Sequence, residues 1–127
     1  MATHFFLCTT CGNVIVKFVD GGPVPLCCGH QMVELQPNTV DGVSEKHLPV
    51  LRQLDECTVE VSVGSTPHPM EPRHHICFIC LETAHGIHVR WLNPEHPAVA
   101  TFCIGNEKPV AVYAYCNIHG LWKTELS

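Results

Sequence analysis

The chain has 127 residues, with 9 cysteines, 10 histidines and a formal net charge of −5. This length suits one ordinary domain, or a small metal-stabilised module followed by a compact domain of about 90 residues. The negative charge and the total of seven Lys and Arg residues argue against a surface that follows nucleic-acid phosphates. We find no secretory signal peptide and no apolar stretch that approaches the roughly 18 residues of a membrane span. We therefore expect a soluble, cytoplasmic protein.

Residues 4–36 predict a small β unit that depends on a metal ion. The segment contains Cys8-x-x-Cys11, a β-branched run, a Gly-Gly-Pro turn and the adjacent pair Cys27-Cys28. Its apolar content is too small to keep it folded, so an ion bound by the four cysteines would supply the missing stability. The spacing alone leaves three alternatives open, which are structural zinc, a mononuclear rubredoxin-like iron, and disulfides.

From about residue 40 onward, short β-rich runs alternate with turns. We predict strands at 48–54, 57–63, 75–81, 86–92, 98–104, 109–116 and 121–125. Residues 57–63 alternate apolar and polar side chains, as a half-buried strand does. Because no helical periodicity is present, the sequence predicts an all-β protein whose second part is an antiparallel sandwich of about seven strands. A turn near Pro37 divides a first domain, 1–37, from a second, 38–127.

Four histidines and one cysteine of the second domain are spaced as ligands of another metal ion. They are His47 at a strand entrance, His68 between two prolines, His74, and the pair in Cys116-x-x-His119. Any one of these histidines alone is more often a surface or core residue, but the group together favours ligation. Structural zinc takes four ligands in a closed tetrahedron. A five-ligand, nitrogen-rich set with one sulfur therefore indicates a metal with a position open for chemistry, and iron is the favoured occupant.

These motifs resemble those of the desulfoferrodoxins, the two-iron form of the superoxide reductase family. The resemblance covers essentially the whole chain and is carried by Cys8-x-x-Cys11, Cys27-Cys28-Gly29, Glu45-Lys46-His47-x-Pro49, His68-Pro69-Met70 and Tyr115-Cys116-Asn117-Ile118-His119-Gly120-Leu121-Trp122. It implies a desulforedoxin-like iron centre held by Cys8, Cys11, Cys27 and Cys28, and an immunoglobulin-like sandwich that holds a catalytic iron. The equatorial ligands of the catalytic iron would be His47, His68, His74 and His119, with Cys116 as the axial thiolate. The family commonly has an aromatic residue after its third histidine, where this chain has His75, so position in the motif is what selects His74.

The resemblance also implies an activity, which is the one-electron reduction of superoxide to hydrogen peroxide, with re-reduction by an external donor such as rubredoxin. Lys46 would attract the anion and organise a proton-delivering water, because a cation beside the open site creates a local positive potential. Glu45 would occupy the sixth position of the ferric state after the product leaves. Taken alone, a lysine is more commonly a solvated surface charge, and Glu45 has the same alternative interpretation. A homodimer is implied as well.

Two other functions stay open on the sequence. An iron-binding electron-transfer protein without turnover would have no use for Glu45-Lys46 beside an open site, and a zinc-stabilised structural module would leave the five-ligand set unexplained. Cys77 and Cys80 lie three apart on a predicted strand, where they face opposite sides, which argues against a further metal site.

The remaining residues of interest are interpreted as structural. Cys57 and Cys103 are predicted to be small core residues. Trp91 and Trp122 are predicted to be core anchors.

Overall fold

The computed structural model describes residues 3–39 and 44–126, without the side chain of Glu45. The chain divides into two compact units, Met1–Gln36 and Pro37–Ser127. Both are built from antiparallel strands, and the described residues contain one helix of four residues, Ser44–His47. The predicted all-β class is therefore confirmed. No helix in the described part of the chain is long and apolar enough to cross a membrane.

The described residues of the N-terminal unit form five short strands. They are β1 (Phe5–Leu7), β2 (Val14–Val16), β3 (Leu26–Cys27), β4 (His30–Gln31) and β5 (Val33–Glu34). β1 lies between β2 and β5 in one sheet, and β3 pairs with β4. The unit has a small core, in which Phe6, Cys8 and Met32 are buried together, and Phe5 is buried as well. So little buried apolar surface is typical of units that need a further source of stability.

The second unit begins with α1 (Ser44–His47) and continues with the seven predicted strands. These are β6 (Pro49–Gln53), β7 (Thr58–Val63), β8 (Ile76–Thr83), β9 (Gly86–Trp91), β10 (Val99–Cys103), β11 (Pro109–Cys116) and β12 (Gly120–Glu125). One sheet has the order β10-β7-β6 and the other β12-β11-β8-β9. The predicted antiparallel, immunoglobulin-like sandwich of seven strands is confirmed.

The core of the sandwich follows from the alternation of its strands. On β7, the side chains of Val59, Val61 and Val63 are buried, and the residues between them are partly exposed. The central strands β8 and β11 contribute Ile79 and Val112, which are fully buried in the same cluster. Each fully buried aliphatic side chain stabilises the fold by about 1.5–3 kcal/mol, so this cluster dominates the packing energy of the unit.

The strand register brings three loops to one end of the sandwich. Pro49 pairs with Val63, so the start of β6 lies beside the end of β7. Ile76 pairs with Cys116, so the start of β8 lies beside the end of β11. The helix before β6, the loop between β7 and β8, and the turn after β11 therefore converge there, and they carry the predicted ligands.

Some residues that we predicted to lie in the core are exposed. Cys57 and Cys103 are exposed, because Cys57 precedes β7 and Cys103 points away from the core that Phe102 faces. Trp122 is buried as predicted, but Trp91 is 85% exposed at the end of the edge strand β9. The core prediction was therefore wrong for three of these four residues.

Candidate metal centres

Five side chains meet at the end of the sandwich where the three loops converge. One ligand atom from each of His47, His68, His74, Cys116 and His119 lies within 4.8 Å of the others. We call this group the histidine–cysteine site. His47, His68 and Cys116 are buried, and the other two are partly buried. Helix α1 ends at His47, and the β7–β8 loop carries His68 and His74. Cys116 is the last residue of β11, and His119 lies in the turn that follows.

The four imidazoles form a closed ring of neighbours. Ring centroids are separated by 4.6 Å for His47 and His68, 4.8 Å for His68 and His74, 5.0 Å for His74 and His119, and 4.7 Å for His119 and His47. Neighbouring rings are inclined by 69° to 82°. His47 Nε2 lies 3.0 Å from His119 Nδ1, so nitrogen atoms of different rings share one small space. This arrangement suits four ligands around one ion, with the thiol as a fifth.

The hydrogen bonding of His68 leaves one nitrogen free for a metal ion. Its Nδ1 lies 2.7 Å from the Pro69 carbonyl oxygen, which can only accept, so Nδ1 carries the proton. Burial lowers the pKa of His68 to about 4, so near neutral pH the ring is uncharged and Nε2 has a lone pair. A carbonyl that fixes the tautomer of a ligating histidine in this way is a common feature of metal sites.

Two nitrogens of the site are buried without a hydrogen bond, Nε2 of His68 and Nε2 of His74. Buried polar atoms nearly always have a partner, because leaving one unsatisfied costs about 1–3 kcal/mol. Burial also lowers the pKa of His74, and the neighbouring His119 lowers it further, so the neutral form of His74 is favoured. A metal ion held between the rings would satisfy both nitrogens. The residues present therefore fit a bound metal.

The pKa of the Cys116 thiol is raised, although two opposing influences act on it. Burial raises its pKa, and hydrogen bonds from the backbone N–H groups of His119 and Ile118 lower it. Its Sγ lies 3.8 Å from His119 Nδ1. A metal ion at this point would favour the thiolate strongly, because a coordinating thiol is deprotonated outright. The two N–H groups would then stabilise the negative sulfur.

The four predicted cysteines of the N-terminal unit also meet. The sulfur atoms of Cys8, Cys11, Cys27 and Cys28 all lie within 4.8 Å of one another, and we call this group the four-cysteine site. Sγ of Cys11 is 3.6 Å from Sγ of Cys27, which is 4.0 Å from Sγ of Cys28. The adjacent pair fits because Cys28 adopts a left-handed backbone with φ of 53°. Such a conformation is uncommon for a residue with a side chain, and it turns the second sulfur toward the first.

Ionisation in the four-cysteine site is uneven. The backbone N–H of Cys11 donates to Cys8 and lowers the pKa of that thiol to about 6. Hydrogen bonding to Cys11 and Cys8 raises the pKa of Cys28 to about 12. Without an ion, four crowded sulfur atoms therefore favour one thiolate surrounded by thiols. A metal ion would displace the remaining protons.

Comparison with known proteins agrees with both sites. The sequence profile named Desulfoferrodoxin matches residues 39–125. The chain is 41% identical over 121 residues to the desulfoferrodoxin of Desulfarculus baarsii, with 94% of each chain covered. It is 39% identical over 122 residues to that of Nitratidesulfovibrio vulgaris, covering 96% of this chain and 95% of the relative. The chain belongs to the desulfoferrodoxin family.

Comparison with a solved structure shows that the similarity extends to the fold. The crystal structure of the superoxide reductase from Treponema pallidum superposes with a TM-score of 0.82 at 29% identity, covering 98% of this chain and 100% of that one. The family match and the two ligand sets together correspond to two iron centres. The sulfur-only set is the type that binds a mononuclear rubredoxin-like iron, and the nitrogen-rich set has the composition predicted for the catalytic iron.

The structure distinguishes the two adjacent histidines of the β7–β8 loop. His74 contributes to the histidine–cysteine site. The ring of His75 is directed elsewhere, with Nδ1 3.1 Å from the Glu71 carbonyl oxygen and Nε2 3.7 Å from Cys77 Sγ. Cys77 and Cys80 belong to neither site.

The two predicted catalytic residues precede His47 on α1. Lys46 is partly exposed and directly precedes the ligand His47. Its positive charge lowers the pKa of His74 slightly, and burial, His119, Glu71 and His75 all have larger effects on that pKa. The side chain of Glu45 lies outside the described residues, so the structure does not test its predicted role.

Two residues of the last motif have contacts that the sequence did not reveal. Trp122 stacks on His47 with centroids 4.9 Å apart, and its Nε1 donates to the His119 carbonyl at 3.0 Å. Asn117 donates from its side chain to the Arg73 carbonyl at 2.9 Å. Both residues belong to the motif that carried the family resemblance. Their nearness to Cys116 in the sequence was the signal that could have indicated these contacts.

Proposed function

We propose that this chain is a superoxide reductase, which reduces superoxide by one electron to hydrogen peroxide at an iron held by the histidine–cysteine site. One observation carries the proposal. Five ligand atoms converge within 4.8 Å, and the buried Nε2 atoms of His68 and His74 have no hydrogen-bond partner. Five ligands leave one position of a six-coordinate ion available for a substrate. The name of the Treponema pallidum structure supports the same activity.

The proposed ligands create a centre suited to an anionic substrate. Iron bound there supplies one electron and an open position for the anion. Neutral imidazoles add no negative charge, and burial keeps His68 neutral by lowering its pKa to about 4. Cys116 supplies the one negative ligand, and the N–H groups of Ile118 and His119 moderate its charge. Trp122 covers one side of His47 and holds the ring in place.

Lys46 and Glu45 complete the proposed mechanism. Lys46 attracts superoxide through its positive charge in an otherwise acidic protein, and it organises the water that delivers a proton to the reduced oxygen. The effect of its charge on His74 supports this position. Glu45, one residue earlier, would supply a carboxylate to hold the metal once the product has left. Occupation of the open position would disfavour oxidation of superoxide and so favour reduction over dismutation.

The two domains would have separate tasks. We assign residues 1–37 to a desulforedoxin-like iron-binding domain and residues 38–127 to the catalytic sandwich. The convergence of the four cysteines supports the first assignment, and the position of the histidine–cysteine site at one end of the sandwich supports the second. The first iron would be an auxiliary centre.

The proposed reaction needs a partner, because each turnover consumes one electron. We propose a small electron carrier such as rubredoxin as the donor, and a detoxifying role in the cytoplasm. Nine cysteines without a disulfide suit a reducing compartment. We also propose a homodimer. Phe18, Val19 and Leu26 of the N-terminal unit are 84%, 87% and 73% exposed, and so many exposed apolar side chains on a small unit support an interface.

The first test is the stoichiometry of the reaction. Protein that has been reduced beforehand is supplied with superoxide and an electron donor, and the peroxide and dioxygen formed are measured. One peroxide for each superoxide, without dioxygen, is the result expected of a reductase. Equal amounts of peroxide and dioxygen would indicate a dismutase. Consumption no faster than the background rate would leave an iron-binding electron-transfer protein as the better explanation.

A further inference from the structure

Four of the five ligands of the histidine–cysteine site come in pairs from one segment, and His47 is the exception. The β7–β8 loop carries His68 and His74, while Cys116 and His119 lie at the end of β11 and in the turn that follows. His47 is the last residue of the four-residue helix α1. A helix of this length is not stable by itself. The position of His47 relative to the other ligands therefore depends on what holds the end of the helix.

Trp122 on β12 contacts two of the ligands at once. Its indole stacks on the His47 ring, with centroids 4.9 Å apart and planes inclined by 21°. Its Nε1 donates a hydrogen bond to the His119 carbonyl oxygen at 3.0 Å. These two histidines are neighbours in the ring of imidazoles, where His47 Nε2 lies 3.0 Å from His119 Nδ1. One side chain thus joins two adjacent ligands that come from different segments of the chain.

The indole itself has little freedom to move. Trp122 is 4% exposed, and it pairs with the fully buried Ala114 of the inner strand β11. Tryptophan has one polar atom in its side chain, and a buried indole N–H needs an acceptor. The hydrogen bond to the His119 carbonyl therefore fixes the orientation of the ring. The face of the fixed ring then restricts His47.

A second side chain of β12 holds the same segment. Thr124 lies two residues after Trp122, so both side chains project from one face of the strand. Thr124 Oγ1 donates to the Pro49 carbonyl oxygen at 2.7 Å. β12 is an edge strand of one sheet, and β6, which begins at Pro49, is an edge strand of the other. The two side chains therefore bridge the edges of the sheets, and they hold the chain on both sides of Leu48.

We propose that Trp122 is a positioning residue of the histidine–cysteine site. Its stacked face and its N–H keep His47 and His119 at the spacing at which both can bind one ion. Because Lys46 directly precedes His47, the same contact positions the backbone of the lysine that is proposed to attract superoxide. The inference rests on the proposed function only in taking iron as the bound ion.

Two variants separate the contacts of the indole. Trp122→Phe keeps an aromatic face against His47 and loses the N–H donor, whereas Trp122→Leu loses both contacts. Trp91→Phe and Trp91→Leu are the matched controls, since Trp91 belongs to the same sandwich and is 85% exposed on the edge strand β9. All four variants are prepared as iron-loaded full chains.

The first measurement is the retention of iron in competition with a chelator. We expect the iron affinity of the histidine–cysteine site to fall by about tenfold in Trp122→Leu and by less in Trp122→Phe, with no change in the Trp91 variants. The four-cysteine site of the same chain is the internal reference. Equal retention in Trp122→Leu and Trp91→Leu would overturn the proposal. Equal losses in Trp122→Leu and Trp122→Phe would overturn the role of the stacked face.

The second measurement distinguishes positioning from a general loss of stability. Optical absorption and EPR spectra of the ferric protein are recorded on chains that hold iron in both sites. A displaced His47 should change the spectrum of the histidine–cysteine centre in Trp122→Leu, and Trp122→Phe should restore it toward that of the parent. The spectrum of the four-cysteine centre should stay the same. A parent spectrum in Trp122→Leu would mean that the indole contributes packing alone, which contradicts the proposal.

Neither measurement uses superoxide, so this inference and the proposed function can fail separately. Weaker iron binding with a changed spectrum in Trp122→Leu supports the positioning role even where the stoichiometry of the parent indicates a dismutase. Unchanged iron binding overturns the positioning role even where the parent proves to be a reductase.

Discussion

Asn117 and His75 exchange two hydrogen bonds. The Asn117 side-chain oxygen accepts from the His75 N–H at 2.9 Å, and the Asn117 N–H donates to the His75 carbonyl at 3.2 Å. The Asn117 amide also donates to the Arg73 carbonyl at 2.9 Å. The residues on both sides of His74 are thus held by the residue that follows Cys116. This one side chain joins two ligand-bearing loops that are separated by 42 positions.

Replacing Asn117 with Ala should therefore weaken the histidine–cysteine site. The variant loses both side-chain bonds, and the loop that carries His74 is held less firmly, so we expect iron affinity to fall by about tenfold. Competition with a chelator measures this loss. The four-cysteine site of the same chain serves as the internal control, and Asn106→Ala, at an exposed turn, is the matched variant. Equal iron retention in both variants would show that Asn117 does not position the ligand.

The extent to which the sequence predicted this site depends on the kind of interaction. The alternation on β7 fixes which side chains enter the core, so Val59 and Val61 were predictable from a period of two residues. The ligands were predictable because histidine and cysteine spacing is specific. The hydrogen bonds of Asn117 were not predictable, because they depend on how two loops meet in space.

Cys103 and Trp91 show where residue type misleads. Both are apolar in composition scales, yet Cys103 lies at an outward position of β10 and Trp91 lies on an edge strand, opposite Phe78 in the register. Residue type gives a preference for burial, and the position of a strand within its sheet can override it. Sheet order was not available from local pattern.

Lys46→Ala should slow the capture of superoxide by about tenfold, because the ammonium group near His74 would no longer raise the local concentration of the anion. The rate should also depend less on ionic strength, since a charge contributes less to the attraction. Rapid-mixing or pulse-radiolysis rates across a salt series measure both effects. Lys108→Ala, which removes an exposed lysine on the β10–β11 loop, is the control. An unchanged rate and salt dependence in the Lys46 variant would remove this residue from the mechanism.

The metal-free protein should lose stability as the pH falls from about 6.5 to about 4. Burial lowers the pKa of folded His68 to about 4 from an ordinary value of 6.5. Within this window the unfolded chain binds a proton that the folded chain does not, so the free energy of unfolding decreases by up to about 1.4 kcal/mol for each pH unit. Above pH 6.5, His68 is neutral in both the folded and the unfolded chain, so it no longer makes the free energy of unfolding depend on pH.

His68→Gln tests that assignment because it removes the titrating group and keeps a polar side chain. Urea unfolding, followed by the fluorescence of Trp91 and Trp122 in the sandwich, should show a flatter pH profile than in the parent protein. His96→Gln, at an exposed position, should keep the parent profile. Identical slopes in the parent and the His68 variant would mean that another group carries the pH dependence.

Cys8→Ser should remove the iron of the four-cysteine site and leave superoxide reduction largely intact. Cys8 is the buried member of its set and the thiol whose pKa is lowered most clearly, to about 6, by the N–H of Cys11, so its loss removes the best ligand. The histidine–cysteine site takes all five of its ligands from the other unit, so its own iron has no direct need of Cys8. Iron per chain should fall from two to one, and the absorption of the first centre should vanish.

Cys57→Ser, outside both sites, is the matched control and should retain both ions. Loss of superoxide reduction together with the first centre would mean that the two irons are obligately coupled, and electrons from the donor would then have to enter through the N-terminal unit.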